Sequence, residues 1–201
     1  DVLSSRGLGD VYKRQSDNYG YNGNPNLQPE EAETTDIGFE YTVGNSVLDF
    51  VYFTTDLKNL ITYGNSTYSN GSGTSNRHGA EIKFNSLISD NVYWRNSATF
   101  TVAEDGDGTR VTRRPKWMGL TAIDYKKDSW TNTVEYLHTG SHLDIDSSTY
   151  ATITKPAVGV VNFHTSKVVS DKSDVVLSVN NAFDKHTTDQ TVMHSTVEIY
   201  Y

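Results

Sequence analysis

The chain lacks cysteine and any long apolar run, and each absence excludes a class of protein. Among its 201 residues there are no Cys, only 2 Met and only 4 Pro. Without cysteine there is no disulfide framework and no thiol chemistry. No apolar run approaches the length of about 18 residues that a membrane-spanning helix requires. A spanning β-strand needs only about 9–11 residues with apolar side chains at alternate positions, so a membrane β-barrel stays possible.

Positive charge is also scarce. The 17 Lys and Arg residues are outnumbered by 25 Asp and Glu, which gives a formal net charge of −8. Because no basic stripe appears, nucleic acid is not expected as a partner. No nucleophile–base motif, zinc-protease helix motif or phosphate-binding loop occurs. We therefore expect that the protein is not an enzyme, with no catalytic residue, no metal site and no cofactor.

The stretch Asn22–Val43 shows the pattern that recurs along the chain. Pro25 and Pro29 exclude regular structure from its first half, because each fixes its own φ and lacks an N–H donor. The second half alternates between apolar and polar residues, and period two predicts a β-strand. The apolar members of this alternation are Ile37, Phe39, Tyr41 and Val43.

A unit of strand, short turn and strand then occurs four times. Long polar stretches at 59–76, 103–114 and 141–154 join these units and are expected to be loops, the first of them mobile. Short turns on one side and long loops on the other are typical of outer-membrane barrels. The sequence therefore predicts an all-β fold, an antiparallel meander of about eight long strands that forms part of a transmembrane β-barrel. The predicted hairpins are 33–43 with 46–58, 77–88 with 91–102, 115–126 with 129–140, and 155–166 with 173–181, and 197–200 begins a further strand.

Alternation also predicts which face each side chain occupies, except near Met118 and Val160, where the phase is ambiguous. The residues expected to face lipid are Phe39, Phe50, Ile82, Phe100, Leu177 and Val179. Those expected to face the lumen are Glu40, Asp49, Glu81, Arg95 and Ser178. Aromatic residues near the short turns predict a girdle at one membrane interface, the alternative being core aromatics of a soluble sandwich. They are Tyr41, Tyr93, Trp94, Tyr125 and Trp130.

Five sequence segments resemble one family, in order and in spacing. The segment 23–30 reads GNPNLQPE and 35–41 reads TDIGFEY, and together they resemble the GNPxLxPE…GxEY signature of TonB-dependent outer-membrane receptors. The later segments agree with that family's strand-start and strand-end motifs. They are RHGAE at 77–81, RRPK at 113–116 and VNNAFDK at 179–185. Taken together, these motifs are similar to those of the cobalamin and catecholate-siderophore receptor group.

The resemblance implies the C-terminal part of a barrel of about 22 strands with a plugged lumen. It implies the bacterial outer membrane as location, membrane lipid and TonB as partners, and TonB-energised uptake of a ferric siderophore, haem or cobalamin. The family's plug, its TonB-contacting box and its last strand are expected to lie outside this chain. The alternatives are a passive porin-like channel, or the barrel anchor of an adhesin or an outer-membrane enzyme.

The first residues look unrelated to the rest. Residues 1–15, DVLSSRGLGDVYKRQ, resemble the translated adapter peptide found at the ends of some sequenced fragments. We expect 1–15 to be a non-native segment and 16–201 to be the partial receptor barrel. A genuine loop is the alternative.

Two pairs of residues are candidates for ligand binding in external loops. Arg113 and Arg114 precede a predicted strand, and arginine suits bidentate contact with anionic ligands. The alternative is a lumen-facing salt bridge that positions the loop. His138 and His142 lie at the top of a predicted strand, where they are either solvated loop residues or contacts to an iron–ligand complex. The Asp105-Gly-Asp107-Gly segment resembles part of a calcium loop, but a solvated turn is favoured, since no bidentate Glu follows at the required spacing.

Overall fold

The computed structural model describes residues 23–64, 66–171, 173–185 and 197–200, the last four by backbone alone. The expectation for residues 1–15 lies outside them. Within this part, every regular element is a β-strand. No helix there is long and apolar enough to cross a membrane.

Most strands are long, and two pairs of short strands occur between them in the chain. The long strands are β1 Glu31–Val43, β2 Ser46–Lys58, β5 Thr74–Ser89, β6 Val92–Glu104, β7 Trp117–Lys127, β8 Trp130–Thr139, β11 Val158–Ser170 and β12 Ser173–Val179. The short strands are β3 Ile61–Gly64, β4 Thr67–Asn70, β9 His142–Ile145, β10 Thr152–Lys155 and β13 Val197–Tyr200.

One sheet contains all the long strands. Its order is β1-β2-β5-β6-β7-β8-β11-β12-β13, nine strands in all. The ladders from β6 to β13 are antiparallel throughout. The predicted all-β meander of long strands is therefore confirmed, and the strand expected at 197–200 extends it.

Two of the predicted loops contain structure that the sequence analysis missed. The β3–β4 and β9–β10 pairs each form a separate two-stranded sheet within 59–76 and 141–154. The expectation that these segments are loops without regular structure is therefore wrong. In the first pair the Tyr63 and Tyr68 rings meet across the strands at 5.0 Å, and such a cross-strand aromatic pair stabilises a hairpin. The prediction also ended β11 too early, because that strand continues past Lys167 to Ser170 with a bulge after Val168.

One face of the sheet is apolar, and contacts between aromatic side chains on neighbouring strands identify it. Phe39 stacks on Phe50 at 5.5 Å, Phe84 meets Trp94 edge-on at 5.6 Å, and the rings of Phe100 and Trp117 lie 4.7 Å apart. Residues opposite each other in a ladder share a face, so the registers extend the assignment strand by strand. Phe163 pairs with Val179, and Thr165 with Leu177. The predicted division into an apolar and a polar face is confirmed.

The registers also settle the two ambiguous positions. Val160 pairs with Leu137, which pairs with Leu120, so Val160 lies on the polar face. Met118 lies on that face as well, two residues before Leu120 on β7.

The apolar face exposes large side chains instead of burying them. On this face Trp117 is 54% exposed, Ile123 49% and Phe163 41%, whereas Ala122 and Asn162 on the polar face are 0% and 6% exposed. In a soluble sandwich a second sheet covers the apolar face. Nothing in the described part of the chain covers it here, so the arrangement matches a sheet whose apolar face meets lipid.

The chain divides into two compact units. Of the described residues, one unit comprises those up to Thr35 with Phe53–His78 and Ala103–Val111. The other comprises Asp36–Tyr52, Gly79–Val102 and the described residues from Thr112 onward. The first unit holds the β3–β4 hairpin, and the second holds most of the long strands and the β9–β10 hairpin.

Candidate functional site

The first of the two candidate arginines joins two long connections of the larger unit. Arg113 Nε lies 2.6 Å from Asp144 Oδ1, and its backbone N–H donates to the carbonyl of Leu143 at 2.6 Å. The residue adopts φ of 58°, a conformation that is uncommon for residues other than glycine. These contacts hold the end of the β6–β7 connection at Arg113 against the β9–β10 hairpin.

The other candidates are not members of this ion pair. Arg114 is exposed and donates from Nη1 to the carbonyl of Arg113 at 3.3 Å. His138 sits on β8 between Gly119 and Gly159, on the apolar face. His142 is only 6% exposed, so the interpretation of this residue as a solvated loop histidine is wrong. The described residues contain no group of three or more His, Cys, Asp or Glu that could hold a metal ion.

The Asp144 carboxylate is stabilised in its charged form. The hydrogen bond from Arg113, and then that from the Ile145 backbone N–H, lower the pKa of Asp144. A carboxylate with a lowered pKa stabilises the folded state above its unfolded pKa, and this contribution is lost as the pH falls through the folded value. The tie between the two connections is therefore expected to stay intact at neutral pH and to release only below the ordinary carboxyl range of about 4.

Replacing Asp144 tests this tie. Asp144→Asn keeps the shape but removes the charge, so the β6–β7 connection should become more accessible. We expect limited proteolysis of the full-length receptor on intact cells to cut within 105–116 faster in the variant at pH 7. Asp128→Asn, in the turn between β7 and β8, is the matched control. Equal cleavage of Asp144→Asn, Asp128→Asn and the parent would show that the ion pair does not position this connection.

The tip of the β9–β10 hairpin is organised around one carboxylate. Asp146 Oδ1 accepts hydrogen bonds from the Ser148 backbone N–H and hydroxyl, at 2.9 and 2.6 Å, and from those of Thr149 at 2.8 and 3.0 Å. These bonds lower the pKa of Asp146 strongly, the Ser148 hydroxyl making the largest contribution. The following Tyr150 is 82% exposed. The turn therefore presents an aromatic side chain on a well-bonded loop, a feature that the sequence analysis did not identify.

In the smaller unit, the NPNLQPE segment is fastened to the β3–β4 hairpin. Asn70 is the centre of this contact: its Oδ1 accepts from the Gln28 N–H at 2.7 Å, and its Nδ2 donates to the carbonyls of Gln28 and Asn59 at 2.9 and 2.7 Å. Glu30 Oε1 accepts from the Ile61 N–H at 2.8 Å. Leu27 is 2% exposed, so the segment also supplies an apolar anchor. The motif thus positions a loop hairpin.

Two glycines in the same unit let two connections touch through their backbones. A Cβ added at Gly73 would lie 2.5 Å from the carbonyl oxygen of Gly106, and Gly73 itself has φ of 79°. A Cβ at Gly106 would overlap the carbonyl of Ser72. The turn that contains Gly106 is stabilised by Asp105, whose Oδ1 accepts hydrogen bonds from the N–H groups of Asp107 and Thr109 at 3.1 and 2.8 Å.

Gly106→Ala is expected to push these connections apart, because the added methyl group meets backbone rather than a flexible side chain. Overpacking of this kind costs about 1–3 kcal/mol. Hydrogen exchange of the full-length receptor should show faster exchange at 71–75 and 103–109 in the variant. Gly64→Ala is the matched control, since Gly64 in the same unit has no atom near its Cβ position and no positive φ. Unchanged exchange in Gly106→Ala would contradict the close contact.

The polar face carries a row of hydrogen bonds across several strands. Arg95 binds Asp124 through two bonds, Nε to Oδ2 at 2.6 Å and Nη2 to Oδ1 at 3.1 Å, and Thr133 donates to the same carboxylate at 2.7 Å. Further along, Asn162 donates to Glu135 at 3.0 Å. The charges on this face are thus held by partners on neighbouring strands, as a polar lining requires.

Comparison with protein families gives one match over most of the chain. A model described as "TonB dependent receptor-like, beta-barrel" matches residues 3–182. Among curated proteins, the vitamin B12 transporter BtuB of Vibrio cholerae serotype O1 is 29% identical over 185 residues, which cover 87% of this chain. The matched region is 29% of that transporter, so the chain spans under a third of its relative's length.

Solved structures share the fold at low sequence identity. The ferric-catecholate import receptor Fiu from K12 E. coli aligns with a TM-score of 0.64 and 23% identity over 85% of this chain and 26% of its own. The FrpB iron transporter from Neisseria meningitidis aligns with a TM-score of 0.67 and 15% identity over 87% of this chain and 29% of its own.

Proposed function

Because this chain belongs to the TonB-dependent receptor β-barrel family, we propose that it is the C-terminal part of a receptor that imports a ferric siderophore, haem or cobalamin. The family consists of receptors and transporters of the bacterial outer membrane, not enzymes. Family membership does not specify the ligand class or the dependence on TonB, so both are part of the proposal.

The observation that carries the proposal is a sheet with two different faces. One face is apolar, as a face that meets lipid would be, and the polar groups of the other are hydrogen-bonded to one another. The long connections between strands contain short hairpins. In outer-membrane barrels the short turns face the periplasm and the long loops face the exterior. The β3–β4 and β9–β10 hairpins then lie outside the cell, where a bulky ligand is captured. The functions of the relatives support the ligand class: one transports vitamin B12 and another imports a ferric catecholate.

Within the external connections we propose different roles for the candidate residues. Arg113 positions the β6–β7 connection through Asp144, and Arg114, which is exposed beside it, is the better placed to meet an anionic ligand. His142 supports the β9–β10 hairpin from a buried position. His138 lies on the apolar face and has no place in this ligand site.

An uptake experiment with the complete receptor tests the proposal. The gene would be expressed in a bacterial host that lacks its own cobalamin, haem and catecholate receptors, with and without TonB. We expect saturable uptake of one of these ligands, in labelled form, only when TonB is present. Arg114→Ala should raise the half-saturating concentration more than Lys116→Ala, its neighbour on the same connection.

Other outcomes point to the alternatives. Uptake that neither saturates nor depends on TonB would indicate a porin-like channel. Absence of uptake for every ligand class, with a correctly assembled barrel, would indicate an anchor for another domain. We further propose that residues 1–15 are not native to the receptor, which the sequence of the genomic locus would decide.

A further inference from the structure

The smaller unit contains a cavity of about 250 Å³ between the β3–β4 hairpin, the connection that follows it and the β6–β7 connection. Most of its lining residues are glycines or carry a side-chain oxygen, and none of the described ones carries a positive charge. The side chains with oxygen are Thr62, Ser72, Ser75, Asp105 and Asp107. Two carboxylates without a lysine or arginine between them attract a cation and repel an anion.

A buried hydroxyl in this lining has no partner. Ser75 is only 9% exposed, and its side chain makes no hydrogen bond to any other residue that the structure describes. Within the same residues, no side-chain oxygen is both fully enclosed and unbonded, so the Ser75 hydroxyl keeps contact with the open space of the cavity. Buried polar groups in proteins are nearly always hydrogen-bonded. An unbonded hydroxyl at this depth is therefore a group that a ligand can satisfy.

The two aspartates also have oxygen atoms to offer. Asp105 uses one of them, Oδ1, to accept the N–H groups of Asp107 and Thr109. Its other oxygen and the Asp107 carboxylate bind no side chain or backbone group in the described part of the chain. The backbone contact between Gly73 and Gly106 fixes the distance between the turn that carries these carboxylates and the segment that leads to Ser75. The acceptors are thus held around one space before a ligand arrives.

The lining suits an organic ammonium group better than a metal ion. Calcium takes six to eight oxygen ligands, and the described residues contain no group of three or more His, Cys, Asp or Glu that could hold a metal. A primary ammonium has three N–H donors and needs only a few acceptors. The cavity has roughly eight times the share of volume of one water molecule, about 30 Å³, which is more than a metal ion fills. Leu60 adds an apolar surface for carbon atoms.

We propose that this cavity binds a protonated primary amine on a short aliphatic chain. The ammonium group donates to the carboxylates of Asp105 and Asp107 and to the Ser75 hydroxyl, and the carbon chain lies against Leu60. The volume is below the range of about 300–1,000 Å³ that drug-sized ligands occupy, so the site takes a free diamine or the aminoalkyl arm of a larger molecule. The long connections of outer-membrane barrels lie outside the cell, so the cavity meets the external medium.

Calorimetric titration of the full-length receptor in detergent with 1,4-diaminobutane tests the site. We expect saturable binding of one diamine per receptor. Tetramethylammonium, which has the charge but no N–H donor, should not bind. Asp107→Asn should weaken the binding about tenfold, because it removes a charged acceptor, and Ser75→Ala about threefold, because it removes a neutral one. Glu104→Gln is the matched control: it makes the same change of charge on the preceding strand end but does not line the cavity, and it should bind as the parent does.

Monoacetylated diaminobutane distinguishes the two sources of the amine. Binding as tight as that of the free diamine would indicate the arm of a larger molecule, and weaker binding would indicate the free diamine. No binding by the parent, equal binding of tetramethylammonium, displacement by equimolar calcium chloride, or unchanged binding in both Asp107→Asn and Ser75→Ala would each overturn the proposal. These results do not depend on which nutrient the receptor imports, so they can fail while the proposed uptake function stands.

Discussion

Phe50→Arg is expected to prevent assembly of the full-length receptor, whereas Asp49→Asn is expected to leave assembly intact. Phe50 lies near the middle of β2 on the apolar face and stacks on Phe39 at 5.5 Å. An arginine on the lipid face of a barrel costs about 2–4 kcal/mol at the bilayer midplane and less toward the interfaces. The substitution also removes the aromatic pair, which contributes about 0.5–1.5 kcal/mol beyond the buried area. Asp49 points to the opposite face, where an amide is tolerated.

Heat-modifiable migration in gel electrophoresis distinguishes the two variants, because folded barrels run faster than unfolded ones. Surface exposure of an external loop, measured on intact cells, gives an independent readout. The adjacent positions are each other's control, since they differ by one residue and therefore by one face. If Phe50→Arg assembled normally and Asp49→Asn failed, the two faces of the sheet would be assigned the wrong way round.

Asn181→Ala is expected to destabilise the barrel by about 2–4 kcal/mol in total. Asn181 is 1% exposed and adopts φ of 52°, a conformation that asparagine accepts more readily than alanine. Its Nδ2 donates to the carbonyl of Lys185, and its Oδ1 accepts from the Lys185 N–H, both at 2.9 Å. Its backbone N–H donates to Asn162 Oδ1 at 2.9 Å, which connects the end of β12 to the polar face of β11. Alanine loses both side-chain bonds and keeps the strained backbone.

The loss would be measured as a shift of the urea midpoint for unfolding of the full-length receptor in detergent or lipid. Asn180→Ala, at the half-buried preceding residue, should shift the midpoint much less. Asn181→Gly separates the two causes, because glycine relieves the backbone strain but restores no hydrogen bond. A midpoint for Asn181→Ala equal to that for Asn180→Ala would show that this turn does not stabilise the barrel.

The strands and their faces could be predicted because period-two alternation is a local property of the sequence. Phe39 and Phe50 are assigned to one face by their own neighbours in the chain, and the short turn at 44–45 then fixes their pairing. The two loop hairpins could not be predicted in this way. Their strands have only four residues each, and their polar composition resembles that of a loop. The Tyr63–Tyr68 pair is the one signal that could have indicated the first of them.

The candidate site was less predictable, because its contacts join residues far apart in the chain. Arg113 was identified from its motif, but its partner Asp144 lies 31 positions away and nothing local distinguishes it from other aspartates. The central role of Asn70 depends on Gln28, 42 positions earlier. Burial of His142 follows from tertiary packing, which overrides the polar surroundings of that residue in the sequence. Such contacts are set by how the connections fold back, not by periodicity.

The two loop hairpins are not part of the nine-stranded sheet, so their length can change without a change in the pairing of the long strands. After β3–β4 the chain returns to pair β5 with β2, and after β9–β10 it returns to pair β11 with β8, beginning with Val158 opposite Thr139. A change in hairpin length alters only loop-closure entropy, by about 0.6 kcal/mol for each doubling of length. Neither ladder has to shift its register. Mutation or recombination can therefore lengthen, shorten or replace either hairpin while the pairing of the long strands stays unchanged.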